Sequence, residues 1–297
     1  MNLIKPEKLK KGDTISIVAP SGCIDMEKIE KSVKYFNSEG YKVKLGANIQ
    51  KKDRYMAGND DERISDIHKA FEDKEVKAVI CARGGYGAIR LINKIDYKLI
   101  KNNPKIFCGY SDISALSAMI LKNSGLITFS GPMEKSDFQF DGINDFTIKN
   151  FWQTVTSNKI IISTKEKNKF SNNNDAQGIM FGGNLTTIAS LCGTDFIPTE
   201  KFIFFAEDLN EPVYKIDKYF TQLLNIKDFK KNLSAIALGE FLDIDDKSEL
   251  EELFKELGRK LNIPIIGTFP FTHGREKATV PFGAKASMSN NTLEIEY

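Results

Sequence analysis

Apolar and polar positions along the chain fall into two alternating rhythms. Short β-branched or apolar runs (Thr14–Ala19, Tyr41–Leu45, Val76–Ala82) are separated by stretches with apolar residues at helical spacing, Met26–Phe36 and Asp60–Phe71. Val76–Ala82 is apolar at nearly every position, as expected for a strand covered on both faces of a sheet. Ile106–Cys108 and Leu126–Ser130 predict two further strands, with a helix over Ile113–Lys122 between them. Strands separated by helix-length segments imply βαβ units and a parallel sheet. From Ser136 to Gln177 the chain turns polar and rich in turn residues, with a single helical pattern near Asp145–Thr154. The alternation then resumes: a strand at Phe202–Ala206, a helix at Val213–Leu224, a strand at Ala235–Gly239, a helix at Lys247–Leu257 and a strand at Ile263–Gly267. Ala284–Met288 and Thr292–Glu296, separated by a Ser-Asn-Asn turn, read as a terminal hairpin. The expected organisation is an α/β domain over 1–140, a linker over 141–177 and a second β/α domain over 178–297.

Composition narrows the function classes. At 297 residues, with 41% hydrophobic and 28% charged positions, the chain is an ordinary globular one of about two domains. Its net charge of +2 comes from 42 basic and 40 acidic residues, which gives no electrostatic reason to expect a nucleic-acid partner. No apolar run approaches a membrane span, and the N-terminal Met-Asn-Leu-Ile-Lys-Pro lacks the apolar stretch of a secretory signal, so a cytoplasmic protein off the membrane is expected. The four cysteines show no Cys-x-x-Cys spacing, and with two histidines a zinc site of the usual kinds is not expected.

Ligands of parallel α/β sheets gather at the carboxyl ends of the strands, and three such ends carry chemistry. Gly109-Tyr110-Ser111-Asp112 follows Ile106–Cys108 and opens a helix, a place where a serine hydroxyl can project into a cleft beside free backbone N–H groups. Equally, Ser111 or Asp112 can be a simple helix cap, since Ile113 stands where the second Gly of a Gly-x-Ser-x-Gly elbow would be. Arg83-Gly84-Gly85-Tyr86-Gly87 follows Val76–Ala82, and its paired glycines allow either a close backbone approach to a ligand or a tight turn. Of the two histidines, His68 shares a helical face with Ile64, Ile67 and Phe71, whereas His273 lies in a Thr-His-Gly loop beyond a strand and is the better catalytic candidate. A serine nucleophile needs a base and the base an orienting acid. Glu207, placed first after Phe202–Ala206, is the expected acid, with Asp208 and Glu211 as neighbours suited to helix capping.

Taken together, Arg-Gly-Gly-Tyr-Gly at 83–87, Gly-Tyr-Ser-Asp at 109–112, Glu-Asp-x-x-Glu-Pro at 207–212 and Thr-His-Gly at 272–274 resemble the LD-carboxypeptidases, serine peptidase family S66. Lys-x-Gly-Asp-x-Ile-x-x-x-Ala-Pro-Ser at 10–21 and Gly-Gly-Asn-Leu at 182–185 extend the resemblance over nearly the whole chain. The resemblance implies a Rossmann-type, amidotransferase-like N-terminal layer and a smaller C-terminal swivelling β/α domain. It implies a triad of Ser111, Glu207 and His273, an oxyanion hole from the backbone N–H groups of Gly85 and Asp112, and no metal or organic cofactor. The implied task is release of terminal D-alanine from murein tetrapeptides by a cytoplasmic enzyme, often a homodimer. A sub-branch resembles the microcin C immunity peptidases, which cut an aminoacyl-nucleotide. A protein that keeps the fold as a non-catalytic ligand-binding module is the remaining expectation. Arg83 and Tyr86 are the candidate substrate-binding residues, although Arg83, like Arg275, can equally serve in a loop-stabilising ion pair.

Overall fold

The structure, a computed structural model, describes residues 2–138, 143–164, 168–171 and 175–297. The first half builds β1 (Thr14–Val18), α1 (Met26–Ser38), β2 (Lys42–Leu45), α2 (Asp60–Glu72), β3 (Val76–Cys81), α3 (Tyr97–Asn102), β4 (Ile106–Cys108), α4 (Ile113–Ser124) and β5 (Thr128–Ser130). These strands pair in parallel in the order β5-β4-β3-β1-β2. The chain therefore leaves β1 in one direction to make β2 and in the other to make β3 and β4. The carboxyl ends of β1 and β3 flank this switch point, where an open parallel sheet leaves a crevice for ligands. Residues 20–22, 83–87 and 109–112, the loops after β1, β3 and β4, sit side by side at that crevice.

The second half runs through α5 (Asp145–Thr156), β6 (Lys159–Ser163), β7 (Asn168–Lys169), β8 (Asp175–Asn184), α6 (Leu185–Ala189), β9 (Phe202–Leu209), α7 (Val213–Leu224) and α8 (Lys227–Asn232). It continues with β10 (Leu233–Leu242), α9 (Lys247–Leu261), β11 (Ile265–Gly267), β12 (Val280–Phe282), β13 (Lys285–Ser289) and β14 (Thr292–Glu296). Strands β8, β9, β10 and β11 are parallel, and the expected hairpin β13–β14 pairs antiparallel on the β8 side, followed by β6.

Three features depart from the simple alternation expected. Within the polar stretch read as a linker, the described residues form α5, β6, β7 and the start of β8, and residues 139–142, 165–167 and 172–174 lie outside the described set. Phe151 and Val155 of α5 pack into the core beneath the first sheet, with Tyr35, Phe36 and Phe138, so amphipathic spacing rather than mean polarity decided that segment. The second departure is β12, which crosses back and pairs antiparallel with β5, giving the first sheet a strand from the far end of the chain. The third is β9, which runs on through Leu209 and so keeps both Glu207 and Asp208 inside the strand.

The two halves share a core. α4 is apolar almost all round and is buried between the first sheet and β8 and α6 of the second half. A Cβ on Gly183 would lie 2.4 Å from Ser114 Oγ, so only glycine lets the β8 backbone come this close to α4. The adjacent Asn184 N–H donates to Ser114 Oγ at 3.2 Å. The helix that begins just after Ser111 is thus locked to the end of the strand next to the one that carries Glu207.

Candidate active site

Ser111 lies in the turn between β4 and α4 with φ +63°, a left-handed conformation that costs a non-glycine residue roughly 1–3 kcal/mol. Such strain is the mark of a nucleophile elbow, and it argues against a simple cap, since Asp112 at the N-cap position makes no side-chain cap hydrogen bond. The Asp112 carboxylate instead faces sideways. It accepts hydrogen bonds from Ser21 Oγ and from the Ala88 N–H, the latter at 2.8 Å, and so joins the loops after β1, β3 and β4. Burial pushes its carboxyl above the usual carboxylate range, against the pull of those two donors.

The Gly-rich loop is held from its other side by Arg63, whose guanidinium is buried. Nη1 donates to the Pro20 and Gly87 carbonyls at 2.6 and 2.9 Å, while Nη2 pairs with Asp60 at 2.6 Å. Clamped in this way, the loop lies against the serine: a Cβ on Gly84 would sit 2.9 Å from Ser111 Cβ and 3.0 Å from its Oγ. Among the described residues, neither the Gly85 nor the Asp112 backbone N–H has an acceptor. Free backbone N–H groups of this kind are the donors that an oxyanion hole needs.

Glu207 and Asp208 are successive strand residues, so their side chains leave opposite faces. Glu207 is 4% exposed and accepts a hydrogen bond from His273 Nδ1 at 2.6 Å. Asp208 turns away: it accepts from Asn184 Nδ2 at 2.8 Å, from the Thr186 N–H and Oγ1 at 2.9 and 2.8 Å, and from the Leu209 N–H. Glu211 pairs with Lys215 at 3.3 Å. The alternation of the strand, not distance from its end, therefore singles out Glu207. At His273 burial pushes the imidazole down, but the hydrogen bond and charge of Glu207 outweigh it and hold its pKa above the ordinary value.

The His273 loop is anchored by hydrogen bonds on both sides. Phe269 N–H donates to Leu238 O at 3.0 Å, Glu240 N–H to Phe271 O at 2.8 Å, and Gly274 N–H to Thr272 Oγ1 at 2.7 Å. Ser111 Oγ makes no hydrogen bond to His273 among the described residues, a contact that in ligand-free enzymes often tightens only on binding. The two residues meet through Tyr110, whose ring stands edge-on to the imidazole with centroids 5.1 Å apart. A cavity of about 140 Å³ adjoins His273, lined by Ser136, Asp137, Asn144, Thr147, Gly274 and Arg275. His68, by contrast, accepts the Asp96 N–H at 3.0 Å and serves the packing of α2 on the segment before α3.

With this geometry in place, the chain can be set against known proteins. Residues 15–131 match the LD-carboxypeptidase N-terminal domain and residues 177–288 the LD-carboxypeptidase C-terminal domain. The chain belongs to the LD-carboxypeptidase family. It is 35% identical to the probable murein peptide carboxypeptidase of Bacillus subtilis, over 98% of this chain and 92% of that protein. Among solved structures, it resembles a muramoyltetrapeptide carboxypeptidase from Oxalobacter formigenes at 31% identity and TM-score 0.87, covering 96% of this chain and 99% of the other. It also resembles an MccF-like protein from Bacillus anthracis at 29% identity and TM-score 0.91, covering 99% of both chains.

In this LD-carboxypeptidase fold the two substrate-binding candidates make different contacts. Arg83 donates through Nη1 to the Cys23 carbonyl at 2.8 Å, so it braces a loop through a carbonyl rather than through an ion pair. Tyr86 is 48% exposed and packs edge-on against the exposed Tyr55 at 5.7 Å. Arg275 is exposed, with its carbonyl held by Thr147 Oγ1. Sequence reasoning missed Asp137 and Lys277, which are buried beside Tyr110 and His273. Nothing distinguishes Lys277 from surface charge in Arg275-Glu276-Lys277.

Proposed function

We propose that this chain is a serine-type LD-carboxypeptidase that releases terminal D-alanine from murein tetrapeptides. The observation that carries the reading is the 2.6 Å pair between His273 and Glu207, set at the same end of the molecule as the strained Ser111. The names of the Bacillus subtilis and Oxalobacter formigenes proteins support the substrate class.

In the proposed reaction Ser111 Oγ attacks the carbonyl carbon of the L-to-D peptide bond while His273 Nε2 takes its proton. Glu207 keeps Nδ1 protonated, so that Nε2 carries the lone pair, and then stabilises the imidazolium. Negative charge on the tetrahedral oxygen falls to the Gly85 and Asp112 N–H groups. His273 returns the proton to the departing D-alanine nitrogen, which leaves an acyl-serine. Water then attacks the acyl carbon, giving its proton to His273, and the second collapse frees the tripeptide and Ser111. A cytoplasmic place and a homodimer belong to the same proposal. No helix among the described residues is long and apolar enough to cross a membrane.

A second reading, cleavage of an aminoacyl-nucleotide, is favoured by the likeness to the MccF-like protein, since MccF is a microcin C7 self-immunity protein. The chain's one tryptophan gives it no help. Trp152 donates to Tyr35 OH at 2.7 Å and stacks on Tyr41 at 4.8 Å, away from the site. Incubation with murein tetrapeptide, followed by detection of free D-alanine, tests the first reading. Release by the wild type and none by Ser111→Ala supports it. Cleavage of the acyl-nucleotide alone would replace it with the second.

A further inference from the structure

Lys277 is only 3% exposed, although it lies in a stretch of charged residues. A buried ammonium is costly unless its donors find partners, and each partner here comes from a different part of the site. Nζ donates to the carbonyl of Gly274, the residue after His273, at 3.0 Å. It lies 3.6 Å from Asp137 Oδ1, in the segment that follows β5. It also stands over the ring of Tyr110, the residue before Ser111, 4.3 Å from the centroid. That ring is the one that meets the His273 imidazole edge-on.

Both ends of the lysine are fixed. Asp137 accepts hydrogen bonds from the Met133 N–H at 2.9 Å and from Ser136 Oγ at 3.1 Å. The Lys277 N–H donates at 2.8 Å to Thr147 Oγ1, which in turn donates to Arg275 O at 2.6 Å. The backbone of Lys277 is therefore held from α5, and its ammonium from the segment after β5 and from its own turn.

We propose that Lys277 is a positioning residue for this reaction: its ammonium ties the His273 turn to the Tyr110–Ser111 turn and sets a fixed positive charge against Glu207 at the imidazole. The inference rests on the reading of His273 as the base. The groups that face His273 are Glu207 and, more remotely, Asp208 from β9, Tyr110 from the β4–α4 turn, and Lys277 from its own loop. Lys277 in turn faces Asp137, and Glu240 of β10 comes near Gly274, whose added Cβ would lie 3.4 Å from Glu240 Oε2. Without the lysine charge Glu207 acts unopposed, and the imidazole keeps its proton to higher pH. Without the Asp137 charge the lysine is less compensated, and the imidazole loses its proton sooner.

The chain has two histidines, so an NMR titration of imidazole protons, with His68 assigned through His68→Gln, reads the His273 midpoint without substrate. Lys277→Met is expected to raise that midpoint by roughly half a pH unit or more, Asp137→Asn to lower it, and Lys277→Arg to leave it close to wild type. The acid limb of D-alanine release should move with it. A midpoint that stays put in Lys277→Met and Asp137→Asn, or moves the same way in both, overturns the proposal, as does Lys277→Arg shifting it as far as Lys277→Met. If Lys277→Met does not fold, the sign of the Asp137→Asn shift decides alone. Midpoints that move as expected in a protein that releases no D-alanine would sink the substrate reading and leave the role of Lys277 standing.

Discussion

His273 Nδ1 stands 2.6 Å from Glu207 Oε2, while Asp208, the next residue along the same strand, points its carboxylate at Asn184 and Thr186 instead. Adjacent carboxylates on one strand are thus divided by its two-residue period between holding His273 and bracing a helix start.

Replacing each acid by its amide should separate the two tasks. Glu207→Gln keeps the volume but disturbs the tautomer of His273, and kcat should fall by about 10³- to 10⁴-fold with little change in melting temperature. Asp208→Asn should keep most of its activity and lose about 1–3 kcal/mol of stability, because one of its acceptor oxygens becomes a donor facing donors. Steady-state kinetics and thermal denaturation on the two variants check both outcomes. A dead Asp208→Asn beside an active Glu207→Gln would reverse the assignment.

Acid should inactivate the enzyme while leaving its histidine–glutamate pair strong. His273 must be neutral to accept a proton, and its pKa lies above the ordinary value, so the acid limb of kcat/KM should have its midpoint above about pH 6.5. The stability sign runs the other way. A histidine whose folded pKa is raised contributes stability that is fully present below its unfolded value and is lost as pH rises through the folded one. In Glu207→Gln the limb should move to lower pH, and a limb that stays fixed would disconnect it from His273.

Gly84→Ala should strain the Gly-rich loop and damage turnover more than it lowers stability. The added methyl would lie 2.9 Å from Ser111 Cβ, a contact no rotation of the serine relieves, and 3.0 Å from Oγ, so the loop or the Ser111 turn must shift. A displacement of this size next to a nucleophile is expected to lower kcat by roughly 10²-fold. Burst-phase labelling of Ser111 by a serine-directed reagent should slow in proportion, and an unchanged labelling rate would contradict the contact.

Asp112→Ala removes the acceptor for Ser21 Oγ and for the Ala88 N–H at once. The Gly-rich loop then loses one of its ties, while Arg63 on the Gly87 carbonyl and the Gly22 N–H on the Gly84 carbonyl remain. About 1–3 kcal/mol of stability should go with it, together with a fall in kcat that exceeds any rise in KM. Equal stability and kinetics in the variant would mean that the loop holds its shape without Asp112.

The parallel strands of the first half were legible because β1, β3 and β4 are short apolar runs with helices between them. The hairpin β13–β14 was legible from alternation around a turn. β8 was not, because its Asp-Ala-Gln-Gly start reads as a loop and its glycines as a motif. Gly178 and Gly182 are there to let β9 come close, since a Cβ on either would fall within 3 Å of the β9 backbone. The end of β9 was placed too early because Glu207 and Asp208 carry charge, and burial against a histidine and a helix start is not visible in their identities. β12 was missed because its pairing partner lies in the other half of the chain and leaves no local signal. The Glu207–His273 pair could be anticipated from the places of both residues beyond strands, whereas Lys277 and Asp137 could not, since only the folded chain makes them neighbours.

β12 also bears on how the protein is made. The outer edge of β5 is filled by Val280–Phe282, so the first sheet stays one strand short until that distant segment has been made. Domains usually fold in turn as they leave the ribosome, but here the earlier one waits with an unpaired strand edge exposed to neighbouring nascent chains. An N-terminal fragment ending before residue 280 would carry that open edge permanently. Ser111 could then be synthesised without its sheet being closed, and a truncated message would yield an aggregation-prone product rather than a half-enzyme.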